Sequence, residues 1–414
     1  MKGYSFLSLA RQALSGNKGW PVVWRSPEPK KNYDVVMIGA GGHGLATAYY
    51  LAKNHGVKNI AVLEKGWLGG GNTGRNTQVT RSNYFWPQSA AFFDHSLKLY
   101  ERLSQELNFN VMLSQRGVVT LAHSLHELDG IRRWANAIQI NEIDSDVLTP
   151  GEVKKLMPLI DLDCRFPIRG GFIQRRGGIS RHDAVAWGYA RAASAYGVDI
   201  IQQCEVTAFD IQSGRVTGVN TTRGTIGADK IGIAVAGHTS ELARMAGFRV
   251  PVTSMSLQAM VSEPIKPCLD TMVLSPVIHV YVSQSDRGEL VIGAGADVYN
   301  SYSQRGGIPL LEENIAALVE LFPAFSRLRL MRQWAGIVDV TPDTTPLMGQ
   351  TPVQNLYISG GWGTGGYKAI PAGGDTMAYT IANDQPHPLI EDFGLERFES
   401  GALIDEGAAS GVAH

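Results

Sequence analysis

The sequence predicts an α/β fold in which a Rossmann-like domain is interleaved with an α+β domain built on an antiparallel sheet. Three observations carry that expectation. A compact apolar run, Tyr33-Asp34-Val35-Val36-Met37-Ile38, leads into Gly39-Ala40-Gly41-Gly42-His43-Gly44; a second, Asn59-Ile60-Ala61-Val62-Leu63, closes on Glu64; and alternating apolar stretches fill the chain from Pro251 to about Gln333. Buried parallel strands read as continuous apolar runs, whereas half-buried antiparallel strands alternate.

Residues 1–32 combine a short, weakly amphipathic segment with Pro21, Pro27 and Pro29, the pattern of an arm laid on a surface, and Trp20 and Trp24 suggest an apolar contact for it. Residues 33–110 open the nucleotide domain: two strands flank a helix from Gly44 to Lys53, followed by a Gly-rich excursion from Gly66 to Gly74 and a helix around 88–107. The span from 33 to 64 is the usual length of a βαβ unit, about 30 residues. Residues 111–177 begin the second domain, with a helix over 124–139. Residues 178–250 return to the first through a helix starting near His182, a strand at 198–201, a meander over 207–211 and 216–221 across Ser213-Gly214, and the buried run Ile231 to Gly237. Residues 251–333 resume the second domain, with strands at 279–282 and 290–292 and a helix over 309–321. Residues 334–390 close the first domain with the strand Leu356-Tyr357-Ile358-Ser359, a Gly-rich turn and a helix over 371–382, leaving 391–414 as a tail.

Composition narrows the function. Lys plus Arg number 37 against 38 Asp plus Glu, so no field of one sign gathers a polyanion or an anionic membrane, and nucleic acid is not an expected partner. Cys164, Cys204 and Cys268 are too few and too widely spaced for a disulfide framework or a CxxC metal site, which suits a reducing compartment. Arg11 interrupts the first apolar run and no later run reaches about 18 residues, so neither export nor a membrane span is expected. His123 and His126 lack further nearby ligands and read as a solvated helix start, with no metal expected.

The glycine turn is the strongest chemical signal. Gly39, Gly41 and Gly44 match G-x-G-x-x-G where a strand becomes a helix, with Gly42 and His43 between them, and Glu64 followed by Lys65 ends the next strand, where a carboxylate reaches ribose hydroxyls. FAD and NAD share this fingerprint. After Glu64 the chain abandons regular βα units for Gly69-Gly70-Gly71-Asn72-Thr73-Gly74 and returns by a meander, an order that favours FAD over NAD.

At this point the chain resembles the glycine-oxidase and sarcosine-oxidase branch of FAD-dependent amine oxidoreductases. The likeness runs from Pro27-Glu28-Pro29-Lys30-Lys31 to Leu403-Ile404-Asp405-Glu406, with landmarks at Leu63-Glu64-Lys65-Gly66-Trp67-Leu68, Ser114-Gln115-Arg116-Gly117-Val118, Val185-Ala186-Trp187 and Gly361-Trp362-Gly363-Thr364-Gly365-Gly366. It implies a glutathione-reductase-type FAD domain with a D-amino-acid-oxidase-like substrate domain. The four-subunit members further imply a cytoplasmic complex with α, γ and δ subunits, in which a chain like this one holds FAD noncovalently and FMN covalently on a histidine. The matching position is His182 in Arg181-His182-Asp183; without the resemblance it is an ordinary polar residue at a helix start. Noncovalent FAD would be held at Gly39, Gly41, Gly44 and Glu64, with further contacts from Asn72, Thr77, Val206 and the turn Gly363 to Gly366.

The resemblance also supplies a substrate site. Arg81 matches the arginine that binds the substrate carboxylate, and Lys368 its partner lysine near the flavin. Taken alone, each is a surface charge, though both directly follow Gly-rich turns. Trp362 and Tyr367 serve equally as site walls or as packing. Gly336 stands where monomeric members attach FAD to cysteine, and Leu290 to Gly295 lacks their oxygen-activating lysine, which suits noncovalent FAD and electron transfer to a second flavin. The implied activity is oxidative demethylation of sarcosine, with FMN passing electrons to oxygen and the one-carbon unit leaving as formaldehyde or passing to tetrahydrofolate. Gln78, Val79 and Thr80 beside Arg81, and Arg181 before His182, depart from that pattern and leave open a subunit of an N-methylglutamate dehydrogenase; a single-flavin amino-acid dehydrogenase is a separate alternative.

Overall fold

The computed structural model describes residues 5–16, 18 and 24–406. Two eight-stranded sheets organise it. In the first, strand Asn32–Ile38 lies between Gly224–Ile233 and Ile60–Leu63, parallel to both, and Asp199–Ile201 extends the sheet beyond Ile60–Leu63. These strands are the apolar runs of the sequence, and the central one is buried on both faces from Val35 onward, as a parallel strand covered on both sides must be. Helices Gly42–Asn54, His182–Ala195 and Ile370–Asn383 cover one face, packing Leu45, Leu51, Val185, Met377 and Ile381 into one apolar core. Each such buried side chain contributes roughly 1.5–3 kcal/mol. The meander Val206–Gln212 and Arg215–Thr221 turns at Ser213 and Gly214, both at positive φ, 50° and 78°, as a two-residue hairpin with the twist of its strands requires.

The second sheet gathers strands from three stretches of chain. Thr253–Pro264 pairs antiparallel with Leu330–Val340 on one side and Glu289–Asn300 on the other; Val280–Gln284 and Met272–Ser275 follow, and then Val118–Ala122, Gly170–Gln174 and Asp146–Leu148. Helix Ile308–Leu321 packs Ala317, Leu318 and Leu321 against this sheet. Strand Leu330–Val340 belongs wholly here, so the division expected at residue 334 cuts through a strand, whose apolar run from Ala335 to Val338 pairs antiparallel.

Two further expectations change. His123 is buried, its ring bonded to the Phe166 carbonyl oxygen and the Ser275 hydroxyl at 2.6 and 2.8 Å, so only His126 lies on a solvated helix start. The arm divides. Trp24 packs edge-on against Trp187 at 5.0 Å, and Arg25 and Lys30 reach Asp199, so this part lies on the chain itself. Helix Phe6–Leu14 buries no residue and turns Phe6, Leu7 and Leu14 to solvent, and Trp20 lies outside the described residues. Among the described residues no group of His, Cys, Asp and Glu could hold a metal ion, and no helix is long and apolar enough to cross a membrane.

Candidate active site

A cavity of about 720 Å³ opens between the two sheets at the carboxyl ends of the parallel strands. That is where open α/β sheets bind ligands, and the volume falls within the usual range of about 300–1,000 Å³. Its wall begins with the turn after Ile38. Gly39 has φ 104°, and a Cβ on Gly44 would run into the Gly39 carbonyl oxygen, so the first helix can start this close to its strand only with glycine there. Gly41, Gly42 and His43 line the cavity. Glu64 accepts the Ala40 amide at 2.9 Å and the Gly66 amide at 2.8 Å, locking the acidic residue to the glycine turn it is meant to serve. Lys65 lines the same region, 3.2 Å from His238.

The other expected cofactor residues meet there too, with different roles. Thr77 lines the cavity and bonds the Tyr281 hydroxyl, whose pKa burial pushes up to about 12. Val206 contributes its wall beside Cys204. Asn72 bonds the Ile337 carbonyl with its amide nitrogen and receives the Ile337 amide at 2.8 Å, so its side chain clamps the Gly-rich excursion to the second sheet. Gly336 lines the cavity next to that clamp. Gly363 and Gly366 form its far wall, and His43 donates from Nε2 to the Gly366 carbonyl oxygen at 2.8 Å while stacking on Trp362 at 4.1 Å. Burial draws the His43 pKa down to about 4, with the Gly366 bond opposing, so the ring is neutral at ordinary pH.

Arg81 and Lys368 are both buried and both line the cavity. Arg81 donates to Asn83 at 2.6 Å and lies over the Tyr84 ring at 5.0 Å, which fixes its plane. Lys368 donates to the Thr364 carbonyl oxygen at 2.9 Å; burial and then the Arg81 charge hold its pKa well below that of an ordinary lysine. The pair can grip an anion and keep an exchangeable proton beside it.

His182 does not line this cavity. It opens helix His182–Ala195, partly exposed, with Nδ1 accepting the Asp183 amide at 2.7 Å. The Asp183 carboxyl is held far below its usual range by the neighbouring His182 and then by the Arg181 guanidinium, which donates to both of its oxygens. Yet the two places are joined. Val79 and Thr80, just before Arg81, pair with Ile179 and Gly178, just before His182, and the Tyr367 hydroxyl, in the cavity wall, bonds the Ser180 carbonyl at 2.8 Å.

Several cavity residues escape the sequence motifs: Met272, Leu274, His279, Tyr281 and Asp339. A signal for two of them was present, because alternation in His279-Val280-Tyr281-Val282 puts His279 and Tyr281 on the face opposite the buried valines. Three polar atoms of the wall, Nδ1 of His43, Oγ of Ser359 and Nε1 of Trp362, are buried without a hydrogen-bond partner. Together with the close-approach glycines and Glu64 they fit a dinucleotide, which would supply such partners.

The glycine turn, the carboxylate after the second strand and the interleaved second sheet define a flavin-dependent oxidoreductase. The model of the FAD dependent oxidoreductase family matches residues 34–380, and the chain belongs to that family. Within it, the chain is 54% identical to the sarcosine oxidase subunit beta of Rhodobacter capsulatus over all of both chains. It is 55% identical to the subunit of the same name from an Arthrobacter species, over 95% of this chain and 97% of that one. Among solved structures, an L-proline dehydrogenase from P. horikoshii superimposes with a TM-score of 0.84 at 25% identity, covering 91% of this chain and 99% of that one.

Proposed function

We propose that this chain is the FAD-binding subunit of a sarcosine oxidase complex and that it oxidises the N-methyl group of sarcosine in the cavity lined by Arg81 and Lys368. The observation that carries this is the burial of those two cations in the wall of a cavity that also presents the dinucleotide turn. Arg81 holds the substrate carboxylate in a bidentate pair, orienting the amine, and Lys368, whose hold on its own proton is weakened by burial and by Arg81, takes up the proton that the amine sheds. FAD, when bound, supplies the two-electron acceptor. The methyl carbon gives up hydride, the nitrogen lone pair closes the C=N bond, and water then releases formaldehyde and glycine. Met272, Leu274 and Tyr281 line the same cavity with apolar surface, which keeps bulk water from the reacting carbon. The near-equal, full-length likeness to two sarcosine oxidase β subunits supports the substrate.

His182 is the proposed point of covalent FMN attachment. Its Nδ1 is occupied by the Asp183 amide, which leaves Nε2 open, and the Tyr367–Ser180 contact links it to the cavity. A partly exposed position outside the cavity suits a flavin shared with a neighbouring subunit, the α, γ and δ subunits being the proposed partners and the cytoplasm the proposed location. The test is the intact mass of the acid-denatured chain from cells that also make the partner subunits: an FMN adduct mapped by peptide to His182 supports the two-flavin reading, and an unmodified chain leaves the single-flavin dehydrogenase. Comparing sarcosine with N-methylglutamate as reductant of the bound FAD decides between the two multi-subunit readings.

A further inference from the structure

One buried carboxyl in the cavity wall is left without a role by the chemistry above. Asp339 is 1% exposed and has no cationic partner among the described residues. It ends strand Leu330–Val340 of the second sheet, and its Oδ2 accepts the Gly361 amide at 2.6 Å; the Trp362 amide is a second donor to it. Those two amides begin the turn that follows strand Leu356–Gly360 of the first sheet. Asp339 therefore ties the two sheets together at the cavity wall through one side chain.

What hangs on that tie is the flavin side of the wall. Gly361 has φ 65° and Gly363 φ 49°, a left-handed turn that needs something to hold it. The turn places Trp362 against His43, offers the Gly366 carbonyl to His43 and supplies the Thr364 carbonyl that receives Lys368. On the other side, Asp339 pairs in register with Ser254, whose hydroxyl donates to the Gly237 carbonyl at 2.6 Å, so the turn at 236–238 is braced by the same rung.

We propose that Asp339 is a positioning residue for the cofactor site: its carboxylate, by accepting the Gly361 and Trp362 amides, holds the turn Gly361–Gly366, and with it Lys368 and the His43–Trp362 stack, in the shape that receives FAD. The proposal rests on FAD as the occupant of the cavity but not on the identity of the substrate. Burial raises the Asp339 pKa to about 7 and the amide bonds oppose it, so a deeply desolvated carboxyl is retained where an apolar residue would pack at no such cost. No charged neighbour contributes to that shift: His238 is paired with Glu241, Asp343 with Arg397, and Lys368 with Thr364.

The test compares Asp339→Asn, which keeps one acceptor oxygen, with Asp339→Ala, which keeps none, in the full-length chain made with its partner subunits. FAD binding to the stripped protein is followed by quenching of flavin fluorescence, and hydrogen exchange is followed on the peptide covering residues 356–370. The alanine variant is expected to bind FAD at least tenfold more weakly and to lose exchange protection in that peptide while keeping it in 182–195. The asparagine variant is expected to stay within threefold of the wild type in affinity, with its protection retained. Unchanged affinity and protection in the alanine variant, or an asparagine variant as impaired as the alanine one, would overturn the proposal. Should the alanine variant not be recovered folded, Asp339→Ser, too short to reach both amides, is measured against the same two criteria. Sarcosine takes no part in either readout, so the result stands apart from the substrate assignment.

Discussion

The cavity around Arg81 and the surface around His182 are built from the two ends of one small ribbon, yet they are opposite kinds of place. Val79–Thr80 delivers Arg81 into a desolvated wall, where Lys368 loses much of its affinity for protons. Gly178–Ile179 delivers His182 to a partly exposed helix start, where Asp183 is ion-paired with Arg181. Burial sets the chemistry of the first. The second is a partly exposed helix start outside that cavity. The difference teaches that one short ribbon can present a buried cation at one end and a partly exposed imidazole at the other, so the two chemical environments are set apart while the backbone joins them within a few residues.

The largest expected effect breaks the first region and spares the second. Arg81→Ala should lower kcat/KM for sarcosine about 100-fold or more, near 3 kcal/mol, because a buried ion pair with the substrate carboxylate is lost. FAD content and the mass of any His182 adduct should not change. Steady-state kinetics with flavin analysis checks this, and a variant with normal kcat/KM would remove Arg81 from the substrate site.

A smaller effect sharpens what burial does to the cavity wall. Asp339 keeps its proton to about pH 7 in the folded chain, against 3.8 for an ordinary aspartate. Between those values the folded state holds more protons than the unfolded one, so this group's contribution to stability is full below about pH 4 and is lost as the pH rises to 7. Asp339→Asn has no such dependence. The stability of that variant relative to the wild type should therefore improve by about 3 kcal/mol from pH 4 to pH 7 and level off soon above it. Thermal unfolding of both proteins across that range measures the difference, and parallel curves would show that Asp339 does not titrate there.

The smallest effect tests the link between the regions. Tyr367→Phe removes only the hydroxyl that bonds Ser180, and it should cost about 1 kcal/mol of stability with FAD binding intact. If the contact also holds the two regions in register, electron transfer out of the cavity should slow severalfold while the substrate still reduces FAD at its normal rate. Double-mixing stopped-flow separates the two rates.

Local pattern in the sequence went far. The βαβ unit, its glycine turn and Glu64 are contiguous, and each strand there is apolar because it is covered on both faces. The second sheet was harder to read because its strands come from three stretches of chain, and the run Ala335 to Val338 is apolar in an antiparallel strand. Arg81 and Lys368 looked like surface charges by composition, and the Gly-rich turns before them and the family resemblance pointed to a site; their burial is a tertiary fact. Asp339 gave no signal, since its partners are backbone amides 22 and 23 positions away. His279 and Tyr281 could have been found from alternation alone, and His123 could not, because its partners Phe166 and Ser275 are remote.

The division of labour between the two regions is tested most directly by anaerobic mixing of sarcosine with the complex carrying His182→Ala. The account predicts that the bound FAD bleaches at a rate within twofold of the wild type, while turnover with oxygen collapses for want of a second flavin. An FAD that no longer accepts electrons from sarcosine in this variant would contradict it, and would place His182 in the oxidation step itself.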